Sequence, residues 1–465
     1  MPAPRIMIAA LRGGAGKTVI STGISAALAR RGLRVTAFKK GPDYIDAGWL
    51  TLASGIPCRN LDLYLSTPDQ VRASFFSRTG PGDLAVIEAN RGLFDGIDVS
   101  GATSSAELAK LLCCPVLLIL DCTKTTRTLA ALVLGCSHFD PEVDIRGVIL
   151  NRVSGSRHEK NIRQNIERHA GIPVLGAVPK LPGEDFPERH LGLLPTHEHR
   201  EAESSLNRAA EMAEKYLDLT AILSVARSPL QEIPPPLQPD SVPFQDGAAP
   251  VIGVARDAAF QFYYPENLEA LVEAGARVLF FSLLSGPIPE MDGLYLGGGF
   301  PETNAEALSA NLAAREKIRE LALSGLPVYA ECGGLMYLCR DLLYRDRTFP
   351  MAGVFPATVS VDKRPVGHGY TRARVDAENP FYAPGTLLLG HEFHYSRIVS
   401  WHGPPASMAF SMERGKGVES GRDGLVLGNT LATYTHIHAT GTPQWAQALV
   451  SASRSRKASR RELAP

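Results

Sequence analysis

Short runs of apolar and β-branched residues alternate with longer amphipathic stretches through the first half of the chain. This alternation predicts parallel strands that are each followed by a helix, because a strand buried on both faces reads as a continuous apolar run. The predicted strands are 6–10, 35–38, 84–88, 116–121, 147–151 and 174–178. We therefore expect an N-terminal α/β domain in which helices cover both faces of a parallel sheet.

The pattern changes between residues 229 and 250, where Pro234, Pro235 and Pro236 lie among further prolines, Gln, Asp and Ser. Proline fixes φ and lacks an N–H donor, so this segment is predicted to be a linker. A second α/β rhythm follows, with predicted strands at 251–255, 277–281, 293–296 and 327–331, and with antiparallel runs at 386–390 and 425–434. The predicted domains are therefore 1–228 and 251–452, followed by a basic, disordered tail at 453–465.

Length and composition narrow the class of protein. A chain of 465 residues exceeds what one core usually supports, which agrees with two domains. Lys+Arg and Asp+Glu both total 48, so the chain lacks the overall field of a nucleic-acid binder, and a small-molecule partner is expected. Seven cysteines without CxxC spacing favour a reducing cytoplasm over a disulfide framework or a zinc site. No run of eighteen apolar residues predicts a membrane span.

A glycine-rich loop, Arg12-Gly-Gly-Ala-Gly-Lys-Thr18, separates the first predicted strand from a helical stretch. Its backbone N–H groups and the N-terminus of the following helix are expected to bind the phosphates of a nucleoside triphosphate. Lys17 would reach the β- and γ-phosphates, and the Thr18 hydroxyl would take one Mg²⁺ position. The candidate ATP-binding residues of the loop are Gly13, Gly14, Ala15, Gly16, Lys17 and Thr18.

Further polar residues stand where the next predicted strands end. Glu88 is the first choice for a Mg²⁺ ligand, because an acid that closes a buried strand lies at the carboxyl edge of the sheet. Asp43 is a second candidate ligand, and Asp46 and Lys40 are candidates for phosphoryl transfer or substrate contact. Asn151 closes the strand 147–151 and is either an amide that contacts the nucleotide base or a helix cap.

A second constellation lies some three hundred residues later, in Ala330-Glu-Cys-Gly-Gly334. It predicts a nucleophilic Cys332 on a strand-to-helix turn, with a pKa lowered by the helix N-terminus. The N–H groups of Gly299, within the run 297–299, and of Gly333 are expected to form an oxyanion hole. A thiol nucleophile needs a base, and His436 and His438 on one face of an extended segment are the two candidates.

A third histidine-rich segment, 390–396, contains His394, which we assign to substrate or interface contact.

The ordered motifs resemble the cobyrinic acid a,c-diamide synthases over essentially the whole chain. The motifs that carry the resemblance are the phosphate loop and residues 40–46, 189–192, 255–260, 297–302, 331–334, 392–396 and 434–436. The resemblance implies an N-terminal P-loop NTPase domain like that of dethiobiotin synthetase, joined to a class I glutamine amidotransferase-like α/β domain. It also implies that Cys332 and His436 act as nucleophile and partner. Many class I amidotransferases carry Glu two residues after the catalytic histidine, whereas this chain has His438, which leaves the third member of the site open.

The family implies ATP- and glutamine-dependent amidation of the a and c acetates of cobyrinic or hydrogenobyrinic acid, through acyl phosphates, in cobalamin biosynthesis. The expected cofactors are ATP and Mg²⁺, with glutamine as nitrogen donor. One alternative is the same diamidation of another tetrapyrrole, siroheme or nickel-sirohydrochlorin. A second alternative, from a different class, is a P-loop partitioning or metal-insertion ATPase. The oligomeric state is left open, with a homodimer as one option.

Overall fold

The computed structural model describes residues 3–80, 82–181, 188–189, 192–193, 201–228 and 249–462. The chain divides into two compact units, Met1–Pro239 and Asp240–Pro465. The division falls within the segment predicted as a linker, whose residues 229–248 lie outside the described part. Residues 190 and 191 of the motif 189–192 also lie outside it.

The first unit is built on a parallel sheet. Strands β1 to β9 span Arg5–Ala10, Val35–Lys40, Arg59–Leu61, Leu84–Glu88, Val116–Asp121, Ile145–Val153, Val174–Pro179, Glu188–Arg189 and Gly192–Leu193. Helices α1 to α8 span Lys17–Arg30, Ile45–Ser54, Pro68–Arg78, Ser105–Leu111, Thr128–Phe139, Ser156–Ala170, Ala202–Tyr216 and Leu219–Ala226. Seven strands form one sheet in the order β3-β2-β4-β1-β5-β6-β7, with every neighbouring pair parallel. The predicted parallel α/β architecture is confirmed.

Both faces of this sheet are buried, which explains the continuous apolar runs. In β1, Ile6 and Ile8 belong to the apolar cluster shared with α1, α7 and α8. Met7 and Ala9 belong to the cluster on the other face, which includes residues of α3, α4, α5 and α6. Successive side chains of a strand point to opposite faces, so a strand with helices on both sides needs apolar residues at every position.

The second unit combines parallel and antiparallel strands. Strands β10 to β23 span Val251–Ala255, Arg277–Phe281, Gly293–Leu296, Val328–Glu331, Cys339–Tyr344, Arg347–Pro350, Phe355–Val361, Gly367–Val375, Leu387–His394, Ser396–Trp401, Ser407–Arg414, Arg422–Leu427, Thr430–Thr433 and His436–Ile437. Helices α9 to α13 span Pro265–Glu273, Ala305–Ala310, Leu312–Leu323, Gly333–Leu338 and Gln444–Glu462, and Pro301–Asn304 forms a 3₁₀ turn.

The larger sheet of this unit has the order β11-β10-β12-β13-β22-β21-β20-β17-β18-β23. The part from β11 to β22 is parallel, and the remaining pairs are antiparallel. The run 425–434 forms the hairpin β21–β22, and 386–390 begins β18, so both antiparallel predictions are confirmed. The parallel part brings the carboxyl ends of β12, β13 and β22 to one edge.

The expected disordered tail is wrong, because α13 continues from Gln444 to Glu462. Ser453 is fully buried, Arg456 Nη1 donates to the Ser324 carbonyl at 2.8 Å, and Lys457 Nζ donates to the Ala249 carbonyl at 2.6 Å. The basic residues thus extend a helix whose apolar side packs on the second unit. No helix in the described parts of the chain combines the length and the apolar character needed to cross a membrane.

The buried part of α13 makes a stability prediction. A chain that ends after Ala452 should lose about 2–3 kcal/mol in the second unit, because the contacts of Ser453, Arg456 and Lys457 disappear. Differential scanning calorimetry should show a lower transition temperature for that unit. A chain that ends after Glu462 keeps the whole helix and serves as the control. Equal transition temperatures in the two truncated chains would contradict the packing role of α13.

Candidate active sites

The glycine-rich loop between β1 and α1 has the backbone of an anion site. Gly14 and Gly16 have φ values of 70° and 92°, which side-chain-bearing residues rarely adopt. A Cβ on Gly16 would lie 2.3 Å from Asn151 Nδ2, so only glycine fits there. Gly16 precedes α1 without any side-chain cap on the helix N-terminus. The N–H groups of the first turn are therefore available for phosphate oxygens.

Lys17 lies across this loop, as the sequence motif predicts. Its ammonium donates to the carbonyl of Arg91 at 2.7 Å and contacts the carbonyl of Arg12 at 3.4 Å. Burial, followed by the charge of Lys39, lowers the pKa of Lys17 to about 8. A negatively charged phosphate beside this ammonium would therefore relieve two unfavourable effects at once.

Residues from four elements, α1, β2, α2 and β4, form a buried charged cluster beside the loop. Thr18 Oγ1 donates to Glu88 Oε1 at 2.8 Å, and Lys39 Nζ donates to the same oxygen at 2.7 Å. Lys39 also donates to Asp46 Oδ2 at 2.5 Å. The cluster brings together the predicted residues Thr18, Glu88 and Asp46. It adds Lys39, which no sequence pattern indicated, because the predicted strand ends at residue 38 whereas β2 continues to Lys40.

The charges in this cluster depend on one another. Burial raises the pKa of Glu88 to about 7, although Lys39 opposes the shift. Burial would lower the pKa of Lys39, but the negative charges of Asp46, Glu88 and Asp43 outweigh burial and raise it. Carboxylates therefore stabilise the positive charge of Lys39 inside the protein.

Thr18 and Glu88 are suited to Mg²⁺ when phosphate is present. Glu88 Oε2 is buried and has no hydrogen-bond partner among the residues that the structure describes, so this oxygen can accept a cation. Within the same described residues, no group of three or more His, Cys, Asp or Glu side chains could hold a metal ion by itself. Phosphate oxygens would have to complete such a site, as Mg²⁺ sites on nucleotides usually require.

Asp43 and Lys40 lie on the same segment but contact different groups. Asp43 Oδ1 accepts from the backbone N–H of Asp46 at 2.8 Å, and burial together with Asp46 raises the pKa of Asp43 to about 6. Lys40 is 5% exposed, and burial lowers its pKa although Asp62 opposes the shift. Asp43 therefore shapes the turn that presents Asp46.

Asn151 supports the phosphate loop directly. Its Nδ2 donates to the carbonyl of Ala15 at 2.8 Å, and its Oδ1 accepts from the backbone N–H of Arg152 at 2.9 Å. Helix α6 begins five residues later, after Gly155, so the helix-cap interpretation of Asn151 is wrong.

A second polar contact holds the outer side of the loop. Asp121 Oδ2 accepts from Arg12 and from Arg152, each at 2.9 Å, and Arg152 also donates to the carbonyl of Gly14 at 3.0 Å. The Arg12 side chain is 70% exposed, so its ion pair contributes little energy. These contacts position the loop from the carboxyl ends of β5 and β6.

Cys332 lies on the predicted turn between β13 and α12. Its backbone has φ 46° and ψ −96°, a conformation that is strained for any residue except glycine. Its N–H donates to the carbonyl of Thr433 at 2.8 Å, which fixes the turn to β22. A nucleophile on such a turn is held away from the regular strand and helix around it.

The expected low pKa of Cys332 is wrong for this closed geometry. Burial, followed by the negative charge of Glu302, raises the pKa of the thiol, and the N–H of Gly333 opposes the shift only in part. Cys332 is 6% exposed, so desolvation outweighs the local effect of the helix N-terminus. The thiol therefore needs a neighbouring base to form a thiolate.

The predicted oxyanion groups meet beside this turn. A Cβ added to Gly333 would lie 3.0 Å from the backbone nitrogen of Gly299. A Cβ added to Gly298 would lie 2.6 Å from Cε1 and 3.4 Å from Nε2 of His436. The Gly298–Gly299 backbone thus borders both the Cys332 turn and the His436 ring. The structure brings Cys332, His436, Gly299 and Gly333 into one site.

Glu331 is a residue of this site that the sequence analysis missed. Its Oε2 lies 3.3 Å from His436 Nδ1 and accepts from the Tyr295 hydroxyl at 3.1 Å. Its Oε1 accepts from the backbone N–H of Ile437 at 3.2 Å. His438, two residues after His436, faces a different carboxylate: its Nε2 lies 3.8 Å from Glu266 Oε2.

Other buried groups fix the segment that carries His436. Asp423 accepts hydrogen bonds from Thr433, Tyr434 and Thr435, just before His436. The ring of His391 stacks on that of His436 with centroids 4.9 Å apart. Burial, followed by the charge of His436, lowers the pKa of His391 well below its usual value, so His391 is neutral.

His394 is buried rather than presented to a ligand. It is 3% exposed, its ring stacks on Tyr434 at a centroid distance of 3.7 Å, and its Nδ1 bonds to the Ser396 carbonyl at 2.7 Å. Its Nε2 lies 3.6 Å from Glu392 Oε2. These contacts assign His394 to the interior packing of the second unit, in contrast to the expected substrate or interface contact.

Family models and relatives agree with this pair of sites. Residues 6–193 match the CobQ/CobB/MinD/ParA nucleotide binding domain, and residues 251–444 match the CobB/CobQ-like glutamine amidotransferase domain. These matches confirm the predicted combination of a P-loop NTPase domain and a glutamine amidotransferase domain.

Similar proteins extend over almost the entire chain. The cobyrinate a,c-diamide synthase of Magnetococcus marinus is 43% identical over 448 residues, covering 95% of this chain and 96% of the relative. The enzymes of the same name from Dehalococcoides mccartyi and Salmonella typhimurium are 40% and 38% identical, covering 97% and 96% of this chain and 98% of each relative. The chain therefore belongs to the cobyrinate a,c-diamide synthase family of glutamine-hydrolysing ligases.

Proposed function

We propose that this protein amidates the a and c acetate carboxylates of cobyrinic or hydrogenobyrinic acid in cobalamin biosynthesis. ATP activates each carboxylate as an acyl phosphate, and ammonia released from glutamine displaces the phosphate. The observation that carries the proposal is a phosphate-loop site and a Cys332–His436 site in one chain, together with relatives named cobyrinate a,c-diamide synthase.

The first step overcomes the poor reactivity of a carboxylate, whose leaving group would be oxide. An acetate oxygen attacks the γ-phosphorus of ATP, and the bond from that phosphorus to ADP breaks. Lys17 and Lys39 provide positive charge beside the transferring group, and Asp46 holds the Lys39 ammonium in place. A fixed charge of this kind stabilises the transition state without reorganising at the moment of reaction.

Thr18 and Glu88 would hold Mg²⁺, with Asp43 as a further candidate ligand, and the bound ion would neutralise charge on the phosphate oxygens. Asn151, which already contacts the loop through Ala15, is proposed to contact the nucleotide. Lys40 is proposed to receive a substrate carboxylate, since an anion would offset the burial that lowers its pKa.

The second unit supplies the nitrogen. The Cys332 sulfur attacks the side-chain amide carbon of glutamine while His436 takes the thiol proton. The N–H groups of Gly299 and Gly333 stabilise the oxyanion, and His436 returns the proton to the departing ammonia. Water then cleaves the thioester and releases glutamate. Ammonia attacks the acyl carbon to form the C–N bond, the C–O bond to phosphate breaks, and inorganic phosphate leaves with that oxygen while the nitrogen loses a proton.

The thiol site separates this proposal from a nucleotide switch. We expect Cys332→Ala to reduce glutamine-dependent amidation about 10⁴-fold, because the nucleophile is lost. Amidation with ammonium salts should persist at the wild-type rate, and both reactions are measured by product mass. Cys339→Ala is a matched control, because Cys339 is also buried but lies at the opposite end of α12 from Cys332. A partitioning ATPase would instead hydrolyse ATP at a rate indifferent to glutamine and to Cys332→Ala.

The charged cluster makes a prediction for the activation step. Glu88→Gln should reduce amidation about 100-fold or more with either nitrogen source, because the variant loses the charge that faces Thr18 and Lys39. EDTA should abolish amidation by the wild-type protein, and added Mg²⁺ should restore it. Glu142→Gln is the matched control, because the Glu142 side chain is 82% exposed. Full activity of Glu88→Gln at saturating Mg²⁺ would exclude the proposed role.

The substrate is tested with a panel of macrocycles. Purified protein is incubated with ATP, glutamine and either cobyrinic acid, hydrogenobyrinic acid, siroheme or nickel-sirohydrochlorin. Mass spectrometry should detect two successive replacements of a hydroxyl by an amino group on a corrinoid. Products from only siroheme or nickel-sirohydrochlorin would assign the protein to the other tetrapyrroles.

A further inference from the structure

The geometry points to Glu331 as the third member of the thiol site, a positioning residue that holds His436 with its Nδ1 proton directed at the carboxylate. This inference rests on the proposed hydrolysis of glutamine. It assigns the orienting role to the residue that directly precedes the nucleophile, whereas many class I amidotransferases place a glutamate two residues after the histidine.

The contacts of Glu331 define its orientation. Its side chain is completely buried, and its two oxygens accept from Tyr295 and Ile437 in addition to facing His436 Nδ1 at 3.3 Å. Burial raises the pKa of Tyr295 well above its usual value, so its hydroxyl keeps the proton that it donates. A carboxylate that already accepts from these two groups is fixed in one rotamer and has an oxygen directed at the imidazole.

The histidine segment is held just as firmly. Asn267 Nδ2 donates to the Ile437 carbonyl at 3.0 Å, and Asn267 Oδ1 accepts from the Ala439 N–H at 2.7 Å. Asn267 Nδ2 also contacts the Tyr295 hydroxyl at 3.4 Å. Glu331, Tyr295, Asn267 and the backbone of residues 437–439 thus form one continuous buried network.

This network selects one tautomer of His436. A carboxylate accepts but cannot donate when ionised, so Nδ1 must carry the proton. The lone pair of the neutral ring then lies on Nε2, at the ring edge that borders Gly298. That is the nitrogen required to take the proton of the Cys332 thiol, and Glu331 stabilises the resulting imidazolium.

The alternative position for a third member is occupied by a different pair. His438 stands two residues after His436 and lies 3.8 Å from Glu266. Its Nδ1 accepts from the backbone N–H of Thr440 at 3.3 Å. Glu266 and His438 therefore provide a second buried Glu–His pair in the same unit, which serves as a matched control.

The test compares Glu331→Gln with Glu266→Gln. Glu331→Gln keeps the shape of the side chain but removes its charge, and should lower kcat for glutamine hydrolysis about 100-fold with little change in KM. Glu266→Gln should leave kcat within about threefold of wild type, because Glu266 faces His438 rather than His436. Ammonium-dependent amidation should remain unchanged in both variants, which reports that they are folded.

The pH profile provides a readout that a purely structural role would not alter. Without the carboxylate, the imidazolium form of His436 is less stable, so the neutral base persists to lower pH and the acidic limb of kcat/KM should move to lower pH. The titratable groups that face Cys332 or His436 are Glu331, His391, Glu302, Asp423, Tyr434 and, through Glu331, Tyr295. All except Glu331 are unchanged in the variant.

A second measurement uses the wild-type protein alone. Nitrogen-15 NMR of histidine-labelled protein, with His436→Gln to assign the signal, should show a neutral His436 protonated at Nδ1. Protonation at Nε2, or wild-type kcat and pH profile in a folded Glu331→Gln variant, would overturn the inference. If Glu331→Gln also loses ammonium-dependent turnover, the NMR result decides. Absence of glutamine hydrolysis by the wild-type protein would instead refute the proposed function.

Discussion

Parallel pairing of neighbouring strands is the constraint that creates both sites. Strands that run in the same direction end at the same edge, so residues far apart in sequence meet where their strands stop. In the first unit this edge gathers the phosphate loop, Lys39 and Glu88 from β1, β2 and β4. In the second unit it gathers the glycine run after β12, the Cys332 turn after β13 and the segment after β22 that leads to His436.

Burial then determines the charges at these edges. Lys39 stays positive because carboxylates surround it, and Lys17 is held at a pKa of about 8 because burial and Lys39 act against its charge. In the second unit, burial keeps Cys332 protonated and His391 neutral. Burial therefore destabilises the charged form of Lys17 in the first unit and of Cys332 in the second. A phosphate beside Lys17 and a base beside Cys332 would each offset this effect.

The sequence predicted the features whose signal is local. Apolar runs located the central strands, and glycine spacing located the phosphate loop and the Cys332 turn. Lys39 and Glu331 were missed because their partners are tertiary, 49 and 105 residues away in sequence. The pKa of Cys332 and the conformation of residues 453–462 were predicted wrongly for a related reason. A helix N-terminus and a basic composition can be recognised in the local sequence, whereas the burial that outweighs them depends on tertiary packing.

The strained, buried turn at Cys332 also bears on chemical durability. Peroxide and electrophiles react with the thiolate of cysteine, and they need access to the sulfur. A sulfur that is largely shielded from solvent and keeps its proton at rest meets neither condition. Oxidative inactivation of this protein should consequently be slow between turnovers, and bound glutamine would shield the sulfur further by occupying the approach to it.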